Sequence, residues 1–431
     1  MKKSVYQKTQ RRALVKSLLV AWLVLLVGGC NSGGDGEGET QSTTSKWSLW
    51  SSGSTNLRGA NIHQRRIYTD IDGTVWLGPG PLGAPYTQAD FDNLAAMGAN
   101  YVNISHPGLY TLTAPYGVDT DVQANLDNLL DMIEIADMFA VISFRTGPGR
   151  SEFALFPGET WYGSHYLNTV WTDQAAQDAW VEMWRYTANR YRNSAIVVGY
   201  DLMVEPNSAN SVLNQMSFDP DDFYPAYANT LYDWNPLAAR ITQAIRSVDT
   251  QTPILVGGSG YSAVTWLPYV VPTGDSRTVY VAHQYEPQDI YTHQEATGTN
   301  QYPGNYDVDY DMVADTFDRT WLDNYLTTID TFVNTNSVPV AANEFGVHRW
   351  VPGGGQYMDD MMTLLENRGM NHALWFWQQS FAPMNAVENG FNFRLGPDPT
   401  NLTEVQVSDL LTVIRNHWSK NRLRPSNATF Q

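Results

Sequence analysis

The stretch IVVGYDLMVEPN, residues 196–207, decides the fold. Apart from Gly199 and Asp201 its residues up to Val204 are bulky and apolar, which predicts a strand buried on both faces. Pro206 has no N–H to give and ends the ladder, so Glu205 is delivered at the strand tip. A carboxylate there needs a partner or a task, because burying an unpaired charge is costly. Similar runs occur at 57–63, 100–105, 139–145, 253–258, 278–285, 338–344 and 372–378. Between them lie segments of helical period. Phe91, Leu94 and Met97 follow a Thr87/Asp90 capping pair, and Val122, Leu126, Leu129, Leu130 and Ile133 share one face. So do Ala176, Trp180, Val181, Trp184 and Tyr191, and later Val407, Leu410, Leu411, Ile414 and Trp418. Eight strands alternating with helical segments predict an α/β fold, a (β/α)8 TIM barrel. A doubly wound open sheet is the rival. It is disfavoured because no Gly-rich turn follows the first strand and GGSGYSA at 257–263 lacks the dinucleotide spacing.

The ends of the chain read differently. Residues 1–30 carry six Lys/Arg and no acid before an apolar run that ends at Cys30, the only cysteine of the 431 residues. This predicts a lipoprotein signal peptide with Cys30 as the lipidated residue; an uncleaved anchor is the alternative, but the run is short for a spanning helix. Residues 31–46 have no large apolar residue before Lys46 and predict a flexible linker, with 47–431 as one barrel domain. The expected location is the bacterial cell envelope, lipid-anchored at the membrane, with Asn31 leaning towards the outer membrane or cell surface. Beyond residue 30 there are 20 basic against 44 acidic residues, which argues against nucleic acid as a partner. A monomer is expected.

In a barrel the chemistry lies at the carboxyl ends of the strands. The polar residues there are His63, Asn103, Ser105, His106, Arg145, Glu205, His283, Tyr285, Glu286, Asn343, Glu344 and Trp377. Glu205 and Glu344 close the fourth and seventh runs and would face each other across one mouth. Paired carboxylates of that kind serve glycoside hydrolysis, one as acid and base, the other as nucleophile. No cofactor or metal is expected: there is no HExxH, no second Cys and no GxSxG, and DVDYD at 307–311 lacks the glycine and distal glutamate of a calcium loop.

Glu205-Pro206, the NEFG around Glu344, HQY at 283–285 and WFW at 375–377 together resemble glycoside hydrolase family 5, over roughly residues 55–420. The resemblance implies retaining hydrolysis of β-glycosidic bonds in a polysaccharide or oligosaccharide, cellulose-type glucan first and mannan next. It makes Glu205 the acid/base and Glu344 the nucleophile. His283 and Tyr285 would flank the cleft, with Tyr285 donating to Glu344, and Trp377 would form the floor, Trp375 being a lesser candidate. Three positions depart from the family pattern. Val204 stands where an Asn is usual, Asn103 where an Arg is usual and Arg145 where a His is usual. Arg145 would then take over the orienting of the nucleophile, and Asn207 is a weak candidate for the lost amide. His106 is an even choice between the cleft and the core, His63 leans towards the core, Glu286 reads as loop and Arg150 as a surface pair. The rival from another class is a non-catalytic glycan-binding lipoprotein built on a glycosidase barrel. The segments 146–172, 206–230 and 286–311 would decide endo against exo action.

Overall fold

The structure is a computed structural model that describes residues 45–72, 81–83, 85–212, 219–309, 311–378, 389–428 and 430. Cys30 and residues 31–44 lie outside them. Among the described residues no helix is long and apolar enough to cross a membrane.

Eight parallel strands close into a barrel: β1 (Arg58–His63), β2 (Tyr101–Pro107), β3 (Phe139–Thr146), β4 (Val197–Asp201), β5 (Ile254–Gly257), β6 (Thr278–Gln284), β7 (Val340–Phe345) and β8 (His372–Leu374). Each pairs with its chain neighbours, and β8 closes on β1. Around them run α1 (Gln88–Ala96), α2 (Thr120–Ile135), α3 (Gln174–Tyr191), α4 (Trp234–Arg246), α5 (Arg319–Asn336), α6 (Gly354–Asn367) and α7 (Asp409–Trp418). The Thr87/Asp90 capping box starts α1, and Asp119, Asp173, Asp233, Asp318 and Ser408 side chains accept from first-turn N–H groups of α2 to α5 and α7. The expected alternation fails once. Between β5 and β6 there is only a 3-10 segment, Val264–Tyr269, and its Pro268 would interrupt any longer helix.

The barrel interior is layered. At its amino end Tyr101, Phe139, Val141, Val198, Leu255, Val279, Val281, Ala341 and Ala373 form an apolar floor. A short helix, Ser48–Ser51, closes it from below with Leu49 and Trp50, whose indole N–H donates to the Val198 carbonyl at 2.9 Å. Gly59 is required here, since a Cβ would lie 1.8 Å from the Tyr101 carbonyl oxygen. Above the floor sits a buried polar layer: Asn103 donates to Asn61 at 2.6 Å, while Ser143 and Asn343 donate to Asp201 at 2.5 and 2.8 Å. Burial nevertheless pushes the Asp201 carboxyl up to about 6. The third layer is the mouth.

Two irregularities aim the mouth residues. β4 ends at Asp201, four residues short of the run read from sequence, so Glu205 leaves the ladder before it reaches the rim. In β7 the register shifts between Ala341 and Glu344. Both Asn343 and Glu344 therefore point inward, against simple alternation.

Candidate active site

A cavity of about 520 Å³ opens at the carboxyl ends of the strands, lined among others by His63, Arg145, Glu205, Tyr261, His283, Tyr285, Glu286, His293, Glu344, Trp375 and Phe391. A second cavity of about 620 Å³ lies between the start of α6 and α7, and neither Glu205 nor Glu344 lines it. Its carboxylates are Asp359 and Asp409.

Glu205, His283 and Glu344 each place a side-chain polar atom within 4.8 Å of the other two. His283 Nδ1 is 2.9 Å from Glu205 Oε1 and 3.8 Å from Glu344 Oε2. The Tyr285 hydroxyl donates to Glu344 Oε1 at 2.9 Å. β6 supplies His283, and Tyr285, just beyond its last residue, also lines the cavity. An oxygen of each carboxylate within 4.8 Å of one of the other fits the about 5–5.5 Å separation of double displacement better than the about 6.5–9.5 Å that admits a water in single displacement.

The backbone that carries Glu205 is unusual. Its φ is +52°, left-handed for a residue with a side chain, and a proline follows it. Such a conformation costs on the order of 1–3 kcal/mol and persists only where surroundings impose it. They do. The Val204 N–H donates to the Phe144 carbonyl and the Tyr261 N–H to the Pro206 carbonyl. Arg150 reaches the carbonyls of Arg145 and Val204 at 2.8 Å and of Glu205 at 2.7 Å.

The two carboxylates differ in how they hold a proton, and it is Glu344, not the acid/base Glu205, whose pKa is raised. Burial, reinforced by the negative charge of Glu205, pushes Glu344 up to about 7, against the opposing effects of His283, Arg145 and the Tyr285 hydrogen bond. Burial also acts on Glu205, but the hydrogen bond from His283 and the charges of His283, Arg145 and Arg150 outweigh it and bring this carboxyl below its ordinary value. For His283, burial alone would lower the pKa, yet the charges of Glu344 and Glu205 and the hydrogen bond to Glu205 raise it. The carboxylate pair therefore holds one proton over a range reaching to neutral pH, and that proton has a short path between the two sites.

The structure redistributes several residues read from sequence. Trp377 is not the floor. It is buried behind the barrel wall with the Arg394 guanidinium 4.0 Å from its ring, while Trp375 lines the cavity. Regular strand ends at Leu374, so alternation no longer orders the side chains beyond it. His106 is fully buried away from the cavity, with Nε2 2.8 Å from Asn125 of α2 and Nδ1 2.7 Å from the Pro107 carbonyl, and burial holds its pKa down at about 4. Asn103 lies one layer below the mouth and contacts Asn61. Asn207 is spent on the Ala154 carbonyl, so it does not replace the amide missing at Val204.

Arg145 does line the cavity, but its guanidinium donates to Ser105 at 3.3 Å and packs 5.2 Å from the Trp375 ring instead of pairing directly with Glu344. Its charge acts on both carboxylates through space. His63 lines the cavity, against the reading of core; Glu286 stands in the loop past β6, as read, and also lines the cavity, and Arg150 is fully buried rather than on the surface. Tyr261, His293 and Phe391 were not singled out; they stand in loops, where no periodicity marks them. Of the further aromatics, Trp171 is core, Trp350 donates to the Gln294 carbonyl and Trp161 is exposed. Asp307, Asp309 and Asp311 come within 4.8 Å of one another, and none of them lines the cavity.

Endoglucanase C of Acetivibrio thermocellus is 23% identical over 235 residues, 51% of this chain and 59% of that protein. Endoglucanase 3 of Fibrobacter succinogenes is 26% identical over 260 residues, 53% of this chain and 36% of that one. The match thus spans about half of this chain and little more than half, or less, of those relatives. An endoglycoceramidase of Cyanea nozakii is 33% identical over 121 residues, 26% of this chain and 22% of its own. Among solved structures, the endoglucanase Cel5A of Thermotoga maritima superposes with a TM-score of 0.57 at 16% identity, covering 86% of this chain and all of that one, which supports the fold. The model of the cellulase family, glycosyl hydrolase family 5, matches residues 51–381, well over half of the sequence, and the chain belongs to that family.

Proposed function

We propose that the protein is a retaining β-glycosidase acting on a β-linked polysaccharide or oligosaccharide, with a cellulose-type glucan as the first candidate and mannan as the second. The observation that carries the reading is the convergence of Glu205 and Glu344 to within 4.8 Å in the mouth, with His283 between them and the Tyr285 hydroxyl on Glu344. The glucan preference is supported by family membership and by the names of the relatives.

In the first step Glu344 bonds to the anomeric carbon while the glycosidic C–O bond breaks, and Glu205 gives its proton to the departing oxygen. In the second, Glu205 takes a proton from water as the water oxygen bonds to that carbon and frees Glu344. The cycle needs the pair's single proton on Glu205 and a negative Glu344. Moving the proton there from Glu344 leaves the net charge of the pocket unchanged. Sugar binding that draws the His283 hydrogen bond off Glu205 favours that arrangement, because His283 is a principal cause of the low Glu205 value.

Incubation with soluble β-1,4-glucan, mannan and xylan should release reducing ends from at least one, and NMR of the earliest product should show the β anomer. An α anomer first would overturn the mechanism. Glycan held on the protein without cleavage would replace the enzyme with a binding protein.

The pH dependence follows from the shared proton. Glu344 is raised to about 7, so the pair is singly protonated below that value and loses its last proton above it. kcat/KM is therefore expected to fall as pH rises through about 7, the side on which a raised carboxyl is spent. A profile flat between about pH 6 and about pH 9 would contradict the shared-proton account.

A further inference from the structure

We propose that Arg150 is the positioning residue of the acid/base carboxylate: its guanidinium, wedged behind the β4 tip, holds the main chain of Val204 and Glu205 in the turn that aims Glu205 at the departing oxygen. The proposal rests on the reading of Glu205 as acid/base. Four observations carry it. Arg150 is fully buried, yet its hydrogen bonds end on main-chain carbonyls, those of Arg145, Val204 and Glu205. Nε, also buried, has no partner among the described residues. A cation withdrawn from water and held by carbonyl dipoles is a costly way to pin a loop, and neutral donors would do the same at lower cost. The turn that it pins is the left-handed one at Glu205.

The fork geometry explains why an arginine suits the place. One terminal nitrogen bridges the strand-end carbonyl of Arg145 and that of Val204, while the other takes Glu205, so β3 and the β4 tip are fixed to one rigid plane. Arg150 itself is placed by a tight turn. Gly147 and Arg150 pair across it, and Gly149 has φ +72° with a would-be Cβ 2.8 Å from the Val170 nitrogen. The positive charge matters as well. It lies behind the carboxylate and favours the ionised Glu205 that must accept a proton from water in the second step. Burial in turn lowers Arg150 to about 10, so it remains charged at neutral pH.

A purely structural tie and a positioning role differ in which substrates suffer. The test compares full-length wild type, Arg150→Met, Arg150→Lys and Glu205→Ala on aryl β-glycosides of the sugar that wild type cleaves, with leaving groups running from dinitrophenol to an unactivated phenol. An activated leaving group needs no proton, so kcat/KM on it reports everything except the acid.

The expected result for Arg150→Met is a kcat/KM within about threefold of wild type on the dinitrophenyl glycoside and about 10²-fold lower on the unactivated one. Azide should raise its kcat on the dinitrophenyl glycoside and yield a β-glycosyl azide, because the misplaced base no longer activates water. Arg150→Lys keeps the charge without the fork, and the same split is expected at a smaller size. It carries the test if the methionine variant does not fold. A loss uniform across leaving groups in whichever variant folds, or none at all, would overturn the proposal. Glu205→Ala is the control. If it shows the split and the Arg150 variants do not, only the positioning role falls; if Glu205→Ala shows no split, the acid/base assignment itself falls.

Discussion

Glu344→Gln should lower kcat on the hydrolysed glycan by on the order of 10⁵-fold, with no loss of folded stability. The amide has the shape of the carboxyl and can still accept the Tyr285 hydroxyl, which now donates at 2.9 Å. What it cannot do is form and release an ester to the anomeric carbon. Stability moves the other way, because burial is the leading cause of the raised Glu344 value and a neutral side chain escapes that penalty. A chemical melt should place the variant level with or above wild type. Retention of more than about 1% of wild-type activity, after exclusion of deamidation by mass spectrometry, would remove Glu344 from the role. Glu205→Gln should cost less, about 10²–10⁴-fold on unactivated substrates, because proton transfer assists the step but makes no bond to the sugar.

Glu366→Gln should unfold at markedly lower denaturant, with a loss of about 3–5 kcal/mol, while sparing the catalytic mouth. Glu366 sits on α6 and gathers polar partners from three other elements. Arg58 of β1 approaches at 2.7 Å, His417 of α7 at 2.8 Å, Lys420 just past α7 at 2.7 Å and His372 of β8 at 3.5 Å. Neutralising the hub leaves the buried Arg58 without its counter-charge, which costs more than the pair itself contributes.

The sign with pH is fixed by the same contacts. Burial opposes them, but the hydrogen bonds from His372, His417, Lys420 and Arg58 win, and Glu366 is held far below the usual carboxylate range. Its contribution is complete above the unfolded value and is lost only as pH falls through the folded one. The gap between wild type and variant should therefore persist at about pH 5 and close only in strong acid. A gap below about 1 kcal/mol at neutral pH would show the hub to be no more than a surface cluster.

Long periodic features were legible in the sequence. All eight apolar runs overlap barrel strands, and Glu205 and Glu344 meet across the mouth as their places at strand ends implied. One group of failed readings comes from side-chain parity. Side-chain parity was extended beyond Leu374, where β8 has ended, and so Trp377 was taken for Trp375. Parity also says nothing at the β7 shift, which turns two consecutive residues inward.

His106 shows the second kind of failure. A histidine at a strand end reads the same whether it faces the cavity or a helix, and only the packing of Asn125 on α2 tells which. Arg150 shows a third. Two of its three partners are main-chain carbonyls more than fifty residues ahead, and a carbonyl has no letter in the sequence. The missing helix between β5 and β6 follows from Pro268, a local cue that the count of alternating segments passed over.

The short helix Ser48–Ser51 has a mechanical consequence. The described chain begins beneath the barrel, with Trp50 fastened to the Val198 carbonyl and Lys46 to the Ser194 carbonyl. The carboxylates open at the opposite end of the same strands. A pull applied through the residues before Trp47 would be borne by this floor plug and spread over the strand origins that surround it. The mouth would feel little of the load, so the spacing of Glu205 and Glu344 is insulated from tension on that side of the molecule, and the cavity opens on the face turned away from it.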